Sequence, residues 1–301
     1  SLRESLWILF ADALSSADRM STQGAQSSID NSAPRQVSYY DADFTWEEIE
    51  KERKERCVGK AAPPVLESSK VSEITKVSSL ANSWEAFYEK HKAKFFKPRS
   101  YLHEAFPKLG DQLRDQSSRE QSSKCSLLFE IGCGHGSSSL PLLTRFPFLR
   151  VFGVDVSKTA IESFKNGAED LKCSDRLRTS VVDVAVEKLP VDDNECDFAL
   201  LVFTLSAILP SNFPHVINEA FRILKPGGLL MFRDYGLYDM VQSRCKVRLK
   251  ERLYLKNDGV MVFFFSKEQT KEIFTTAGFE VLELKYATVR CQNRKTKQNM
   301  D

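Results

Sequence analysis

Three glycines at alternate positions, following a short apolar run, constrain the fold of this chain more than any other feature of its sequence. The apolar run is Leu-Leu-Phe-Glu-Ile at 127–131, and the glycines are Gly132, Gly134 and Gly136. Because glycine has no Cβ, the backbone can turn sharply there from a strand into a helix and can lie against a ligand. The segment therefore predicts the first strand, turn and helix of an α/β domain, with a ligand site at the turn.

The chain beyond residue 124 alternates strands with helices. Strands are predicted at 125–131, 150–154, 177–182, 197–203 and 229–233, and helices directly after the glycines, at 159–171 and at 213–224. This order predicts a doubly wound, mostly parallel sheet, in which ligand residues collect at the carboxyl ends of the strands.

Two acids stand at those strand ends. Asp155 follows the second strand, where a carboxylate can accept the hydroxyls of a ribose. Asp183 follows the third strand, where it can accept from an adenine amino group beside the Val184 amide. Each acid could instead be an ordinary helix N-cap. Together with the glycine turn, they favour a site for an adenosine-containing ligand.

Composition restricts the classes of function. The net charge is +2 over 301 residues, so nucleic-acid binding would need a local basic patch. Seven cysteines without a Cys-x-x-Cys pair argue against a zinc site and a disulfide framework, and favour a reducing compartment. The longest apolar stretch, 198–209, is too short to span a bilayer. We therefore expect a cytoplasmic protein with no metal and no membrane segment, with a mitochondrial address in 1–19 as the alternative.

Shifts in composition divide the chain into regions. We expect disorder at 1–43, a charged helix and linker at 44–79, a helical cap at 80–123, the α/β domain at 124–290 and a basic tail at 291–301. A basic hairpin insert is predicted at 236–265, because Asp258-Gly259 lies between apolar runs. Its cations include Arg244, Lys246 and Arg248, which suit phosphate contacts, although such a run can also be a solvated surface.

Several motifs are similar to those of a known family. The glycine turn and the turn at 224–228 resemble class I S-adenosylmethionine (SAM) methyltransferases. The segment Met-Phe-Arg-Asp-Tyr-Gly-Leu-Tyr-Asp at 231–239 resembles the tRNA N3-methylcytidine methyltransferases of the methyltransferase-like (METL) family. Further similarity lies in Trp84-x-x-x-Tyr88, Phe95-Phe-Lys-x-Arg99, 201–210 and 263–265. The resemblance implies a Rossmann-like class I fold that uses SAM to methylate cytidine 32 of the tRNA anticodon loop.

The resemblance also implies roles for individual residues. Residues expected to cover or line the SAM pocket are Trp84, Tyr88, Gly132, Gly134, Asp155, Asp183, Val184 and Val202. Residues expected to face the tRNA and its target base are Lys97, Arg99, Arg233, Tyr235 and Asp239, with the basic insert beside them. The region at 43–47 resembles members that act on threonine and arginine tRNAs. The sequence leaves open whether a helper protein such as an aminoacyl-tRNA synthetase is needed.

The chemistry of cytosine suggests one catalytic candidate. N3 carries an in-plane lone pair, so no base has to remove a proton before methyl transfer, and alignment can supply the catalysis. The product ring is cationic, and a carboxylate such as Asp234, accepting from the exocyclic amine, would stabilise that charge. The alternative is that Asp234 is a structural partner of Arg233.

The chain departs from the family pattern at two places. Pro98, Ser100 and Tyr101 replace an Asp, a His and a Trp, which leaves open how Arg99 is held. The chain also ends at Asp301, where the family's final antiparallel strand would begin, so we expect an apparently truncated sheet with a bare edge. These departures keep two alternatives open: a non-catalytic SAM- and tRNA-binding subunit, and a small-molecule or protein methyltransferase on the same fold.

Overall fold

A seven-stranded parallel sheet forms the centre of the computed structural model, which describes residues 5–11, 47–48, 50–51, 63–91, 96–118, 125–287, 291–292 and 299–300. In chain order the strands are β1 (Ser5–Ala11), β2 (Ser126–Ile131), β3 (Leu149–Asp155), β4 (Leu177–Val181), β5 (Cys196–Val202), β6 (Leu224–Tyr235), β7 (Val247–Lys250), β8 (Leu253–Leu255), β9 (Met261–Phe263), β10 (Glu280–Ala287), β11 (Cys291–Gln292) and β12 (Asn299–Met300). The large sheet has the order β10-β1-β6-β5-β2-β3-β4.

Helices cover both faces of this sheet, as the alternation of strands and helices predicts. They are α1 (Ser68–Ile74), α2 (Val77–His91), α3 (Leu102–Ala105), α4 (Pro107–Ser118), α5 (Ser139–Arg145), α6 (Lys158–Asp170), α7 (Phe213–Ile223), α8 (Met240–Arg244) and α9 (Lys267–Thr276). Consecutive strand residues point to opposite faces, so Phe232 packs in a core with α7 and α9, while Met231 packs in a second core with α4, α5 and α6. The predicted doubly wound architecture is therefore confirmed.

The glycine turn has the backbone that its sequence predicts. Gly132, Gly134 and Gly136 have φ values of 70°, 54° and 82°, a region that favours glycine. A Cβ added at Gly136 would collide with the ring of Phe164 on α6. The turn therefore needs glycine both for its backbone conformation and for the close packing of the following helix.

The sheet edge differs from the sequence-based expectation. Residues 5–11 fall in the segment predicted to be disordered, yet they form β1, which pairs in parallel with both β6 and β10. The register places Ile8 beside Phe232 on one side and beside Leu284 on the other. The position next to β6 is thus occupied, and the expectation of a bare edge there was wrong. The apolar run Leu6–Phe10 supplies the strand, but no local pattern indicates pairing partners more than 200 residues away.

Two further predictions concern smaller elements. The hairpin is confirmed, because β8 and β9 pair antiparallel around Gly259, which has a φ of 84°. Residues 47–48 and 50–51 are helical, within the predicted charged helix. Most of 1–43, Phe95 of the aromatic motif, and most of 291–301 lie outside the described residues.

Candidate active site

A cavity of about 100 Å³ opens at the carboxyl ends of β2, β3 and β5. Its lining includes Trp84 and Tyr88 from α2, Gly132 from the glycine turn, Asp155 from β3, and Asp183 and Val184 from the segment after β4. The structure therefore brings together six of the eight residues predicted to hold a cofactor, and the remaining two, Gly134 and Val202, are not part of the cavity lining.

Asp155 connects the glycine turn to the start of α6. Its Oδ2 accepts from the Gly134 amide at 2.8 Å and its Oδ1 accepts from the Ser157 amide at 2.9 Å. Burial raises the pKa of Asp155 to about 6, although these hydrogen bonds favour the ionised form. A carboxylate offers roughly four lone-pair positions, so Asp155 can bind two amides and still accept ligand hydroxyls.

Asp183 organises the next strand end. Its Oδ1 accepts from the Ala185 amide at 3.0 Å, and its own amide donates to Glu187 Oε1 at 2.7 Å. The turn leaves Val184 buried, with 8 % of its surface exposed, in the wall of the cavity. Asp183 therefore combines the local turn role and the position at the cavity, which the sequence presented as alternatives.

Helix α2 closes one side of the cavity with aromatic side chains. The rings of Trp84 and Phe87 lie 5.4 Å apart, and those of Phe87 and Tyr88 lie 5.6 Å apart. Phe87 and Tyr88 form a buried cluster with Ala160 of α6 and with Val260 at the hairpin tip. The helix thus packs on the domain and covers the cavity at the same time.

Phe203 and Thr204 line the cavity after β5, where Val202 was predicted to do so. Val202 packs in the core beneath α5 and α6, while the next two residues line the cavity. Phe203 has a φ of 55°, which costs a bulky residue about 1–3 kcal/mol, and its amide donates to the Arg233 carbonyl at 2.7 Å. No local sequence signal predicts a left-handed phenylalanine, so this residue could not be found from the sequence.

Arg99 joins the segment after α2 to the glycine turn. Its guanidinium donates to the hydroxyls of Ser137 and Ser138, and its amide donates to the Ser137 carbonyl at 2.7 Å. The same guanidinium lies 5.3 Å from the ring centre of Phe203, which lies 4.9 Å from that of Tyr235. Two serines therefore hold Arg99 without the acid that the family pattern has at residue 98. We call Arg99, Phe203 and Tyr235 the cation–aromatic group.

Three residues predicted to reach the substrate are buried instead. Arg233 and Asp234 have no exposed surface, and Asp239 is 3 % exposed. The Arg233 guanidinium lies over the ring of Tyr101, 5.1 Å from its centre. Asp239 accepts from the Val241 amide at 2.7 Å and caps the start of α8. These three side chains are therefore buried supports of the site and do not line the cavity.

Asp234 illustrates this support. Its Oδ2 accepts from the Ser206 amide at 2.9 Å, in the loop that follows Phe203 and Thr204. Burial raises the pKa of Asp234 to about 7, against the effect of the hydrogen bonds from Ser206. This geometry corresponds to a structural role for Asp234, with the amides of Ser206 and Tyr235 among its partners.

The predicted RNA-facing cations divide by exposure. Lys97, Arg244 and Lys246 are exposed, whereas Arg248 is half-buried and pairs through its backbone with residues 64–66. Exposed cations are available for phosphate contacts. Within the described ranges, no group of three or more His, Cys, Asp or Glu side chains could hold a metal ion. No described helix is long and apolar enough to cross a membrane.

Comparison with known proteins places this geometry in a family. Residues 128–228 match the family described as a methyltransferase domain. The chain is 33 % identical over 291 residues to the tRNA N(3)-methylcytidine methyltransferase Mettl2 of Drosophila melanogaster, covering 92 % of this chain and 86 % of that protein. It is 32 % identical to the tRNA N(3)-cytidine methyltransferase METTL2 of Danio rerio, covering 83 % and 78 %. It is also 29 % identical to O-methyltransferase 3 of Dictyostelium discoideum, covering 84 % and 74 %. The chain belongs to the family of tRNA N(3)-cytidine methyltransferases.

Proposed function

We propose that this chain transfers a methyl group from SAM to N3 of cytidine 32 in the anticodon loop of tRNA. The observation that carries the proposal is the position of Phe203, which lines the cavity and also belongs to the cation–aromatic group. A cofactor in the cavity and a base on this group would therefore be immediate neighbours.

The residues around the cavity fit SAM. Asp155 lines the cavity and would accept hydrogen bonds from the ribose hydroxyls. Asp183 would accept a hydrogen bond from the adenine amino group, and Val184 would pack against the adenine ring. A Cβ at Gly132 would collide with the Thr204 side chain, so glycine allows the loop that carries Thr204 to pack against the turn at the cavity. When bound, SAM supplies an electrophilic methyl group, and Trp84 and Tyr88 cover it against water.

The cation–aromatic group fits a base taken out of a loop. Phe203 and Tyr235 present aromatic surface for stacking, and single-stranded RNA bases are commonly bound in this way. Because N3 of cytosine has its own lone pair, the protein has only to align the base with the methyl group and exclude water. Asp234 then acts through Ser206, by fixing the loop that carries Phe203 and Thr204.

The exposed cations extend this site outward. Lys97, Arg244 and Lys246 are proposed to contact phosphates of the anticodon arm, and Arg248 to support β7. The threonine or arginine isoacceptors are the proposed substrates, with a helper protein such as an aminoacyl-tRNA synthetase assisting their selection. Five cysteines, at 125, 133, 173, 196 and 245, are free thiols, which is typical of a reducing compartment, and we propose the cytoplasm.

Transfer of label tests the proposal directly. The protein is incubated with methyl-labelled SAM and total tRNA, and the modified nucleoside and its position are then mapped. Label in N3-methylcytidine at position 32, absent with the Asp155→Ala variant and with transcripts carrying uridine 32, is the expected result. SAM binding without transfer to any tRNA would instead favour the non-catalytic subunit. Label in another nucleoside or in protein would overturn the proposed acceptor.

A further inference from the structure

Helix α2 carries the two aromatic residues that cover the cavity, and a carboxylate lies between them in sequence. Glu85 Oε1 accepts from the Thr159 amide at 3.2 Å and from the Thr159 hydroxyl. Both donors belong to the first turn of α6, which begins three residues after Asp155. Glu85 therefore joins the covering helix to the same strand end that Asp155 occupies.

The electrostatics of this contact favour an ionised Glu85. Burial by itself would raise the pKa of Glu85, but the hydrogen bonds from Ser157 and Thr159 outweigh it and hold the pKa below its usual value. The first turn of α6 also carries partial positive charge from its unpaired amides, which attracts a carboxylate. The contact is thus a charge-assisted one that persists throughout the neutral pH range.

Helix α6 does not need Glu85 in order to begin. Ser157 already caps it, because the Ser157 hydroxyl accepts from the Ala160 amide at 3.0 Å. The contact of Glu85 is therefore more important for α2, whose other attachments include the apolar contacts of Phe87 and Tyr88 with Ala160 and Val260. Apolar contacts are non-directional, whereas hydrogen bonds to Thr159 fix the rotation and height of α2 over the cavity.

We propose that Glu85 is a positioning residue that holds α2 on α6, so that Trp84 and Tyr88 cover bound SAM. The inference rests on the proposed function, since it takes SAM as the ligand of the cavity. Glu85 acts through α2 and does not line the cavity itself.

The test compares Glu85→Ala and Glu85→Gln with Glu89→Ala, which removes an exposed acid one turn further along the same helix. SAM affinity is measured by calorimetry, and kcat is measured by tRNA methylation at saturating SAM. Opening of α2 is measured by amide hydrogen exchange of residues 80–90 in the free protein. We expect Glu85→Ala to weaken SAM binding about tenfold and to speed exchange in α2, with kcat within about twofold of wild type. Glu89→Ala should match wild type in all three.

A double-mutant cycle with Thr159→Ala identifies the contact. Because the two side chains act together, the double variant should bind SAM no more weakly than Glu85→Ala alone. Unchanged affinity and unchanged exchange in Glu85→Gln and Glu85→Ala would overturn the inference. If wild type binds no SAM, the proposed function fails, whereas the exchange measurement still decides whether Glu85 holds α2.

Discussion

The hydroxyl of Tyr88 lies against Gly134, in the space that a Cβ at this glycine would occupy. Gly134 also has a φ of 54° and donates its amide to Asp155. One residue of the glycine turn therefore meets both the covering helix and the acid placed for the ribose. This contact explains why the second glycine is required even though it does not itself line the cavity.

Gly134→Ala should therefore weaken SAM binding by more than about tenfold, because the methyl group displaces Tyr88 and α2 with it. Gly227→Ala is the matched control, since Gly227 has a φ of 82° but open space around it. Both substitutions introduce backbone strain of about 1–2 kcal/mol, but only Gly134→Ala also displaces Tyr88. Only Gly134→Ala should therefore change the SAM affinity, which is measured by calorimetry. Equal affinities for the two variants would contradict the role given to the Tyr88 contact.

Asp234→Asn should lower turnover while leaving SAM affinity intact. The carboxylate accepts from the Ser206 amide and lies outside the cavity, so its loss disturbs the loop bearing Phe203 and not the cofactor contacts. We expect kcat to fall about tenfold, as measured with saturating SAM and tRNA. A kcat equal to that of wild type would show that neither the direct nor the supporting role of Asp234 matters.

Asp234 should also make stability depend on pH. The pKa of this carboxyl is about 7 in the folded protein, against roughly 3.9 in an unfolded chain. Its contribution is fully present below about pH 4, where both states are protonated, and is lost as the pH rises through 7. The free energy of unfolding of wild type relative to Asp234→Asn should thus fall by about 2–4 kcal/mol between pH 4 and pH 8, measured by urea unfolding. A difference that does not vary with pH would mean that the ionised carboxylate is not destabilised by burial.

The sequence specified the cofactor side of the site more completely than the substrate side. Gly132, Asp155 and Asp183 follow from a local rule, because a parallel strand that ends before a helix places its next residues at the ligand edge. Phe203, Glu85 and Val260 depend on a left-handed backbone or on contacts between distant segments, which no local pattern encodes. Arg233 and Asp239 were predicted to face the substrate, but both side chains are buried. A polar residue within a substrate motif can therefore have a structural role instead.

The same distinction applies to the fold. Strands β2 to β5 were predicted within one or two residues, because β2, β3 and β5 are short apolar runs and β4 is followed by Asp183 at the strand end. Strand β1 was missed because its run lies among polar residues, and its pairing with β6 and β10 is set by the tertiary structure. Local hydrophobic patterns identify a strand but not its neighbours when sequence separation is large.

Val260 links the hairpin of β8 and β9 to the covering helix α2, and its truncation should weaken SAM binding. Val260 is 1 % exposed and packs in the cluster that contains Phe87 and Tyr88. Val260→Ala removes two methyl groups there and should lower stability by about 1–2 kcal/mol and raise the Kd for SAM several-fold. Val186→Ala is the control, because 52 % of Val186 is exposed. If both variants bind SAM as wild type does, the hairpin tip does not contribute to closing the cavity.

The exposed cations should affect tRNA binding without affecting SAM. Lys97→Ala, Arg244→Ala and Lys246→Ala each remove one exposed positive charge. Each should weaken tRNA binding several-fold at low salt and reduce the slope of log Kd against log salt concentration by about 1. Lys165→Ala removes an equal charge on α6, where Lys165 pairs with Glu162 at 2.9 Å, and should leave the slope unchanged. Because SAM binding by calorimetry reports the cavity alone, an unchanged SAM affinity separates a lost phosphate contact from a disturbed fold. If the salt slope of all three variants equals that of wild type, the tRNA lies on another face of the domain.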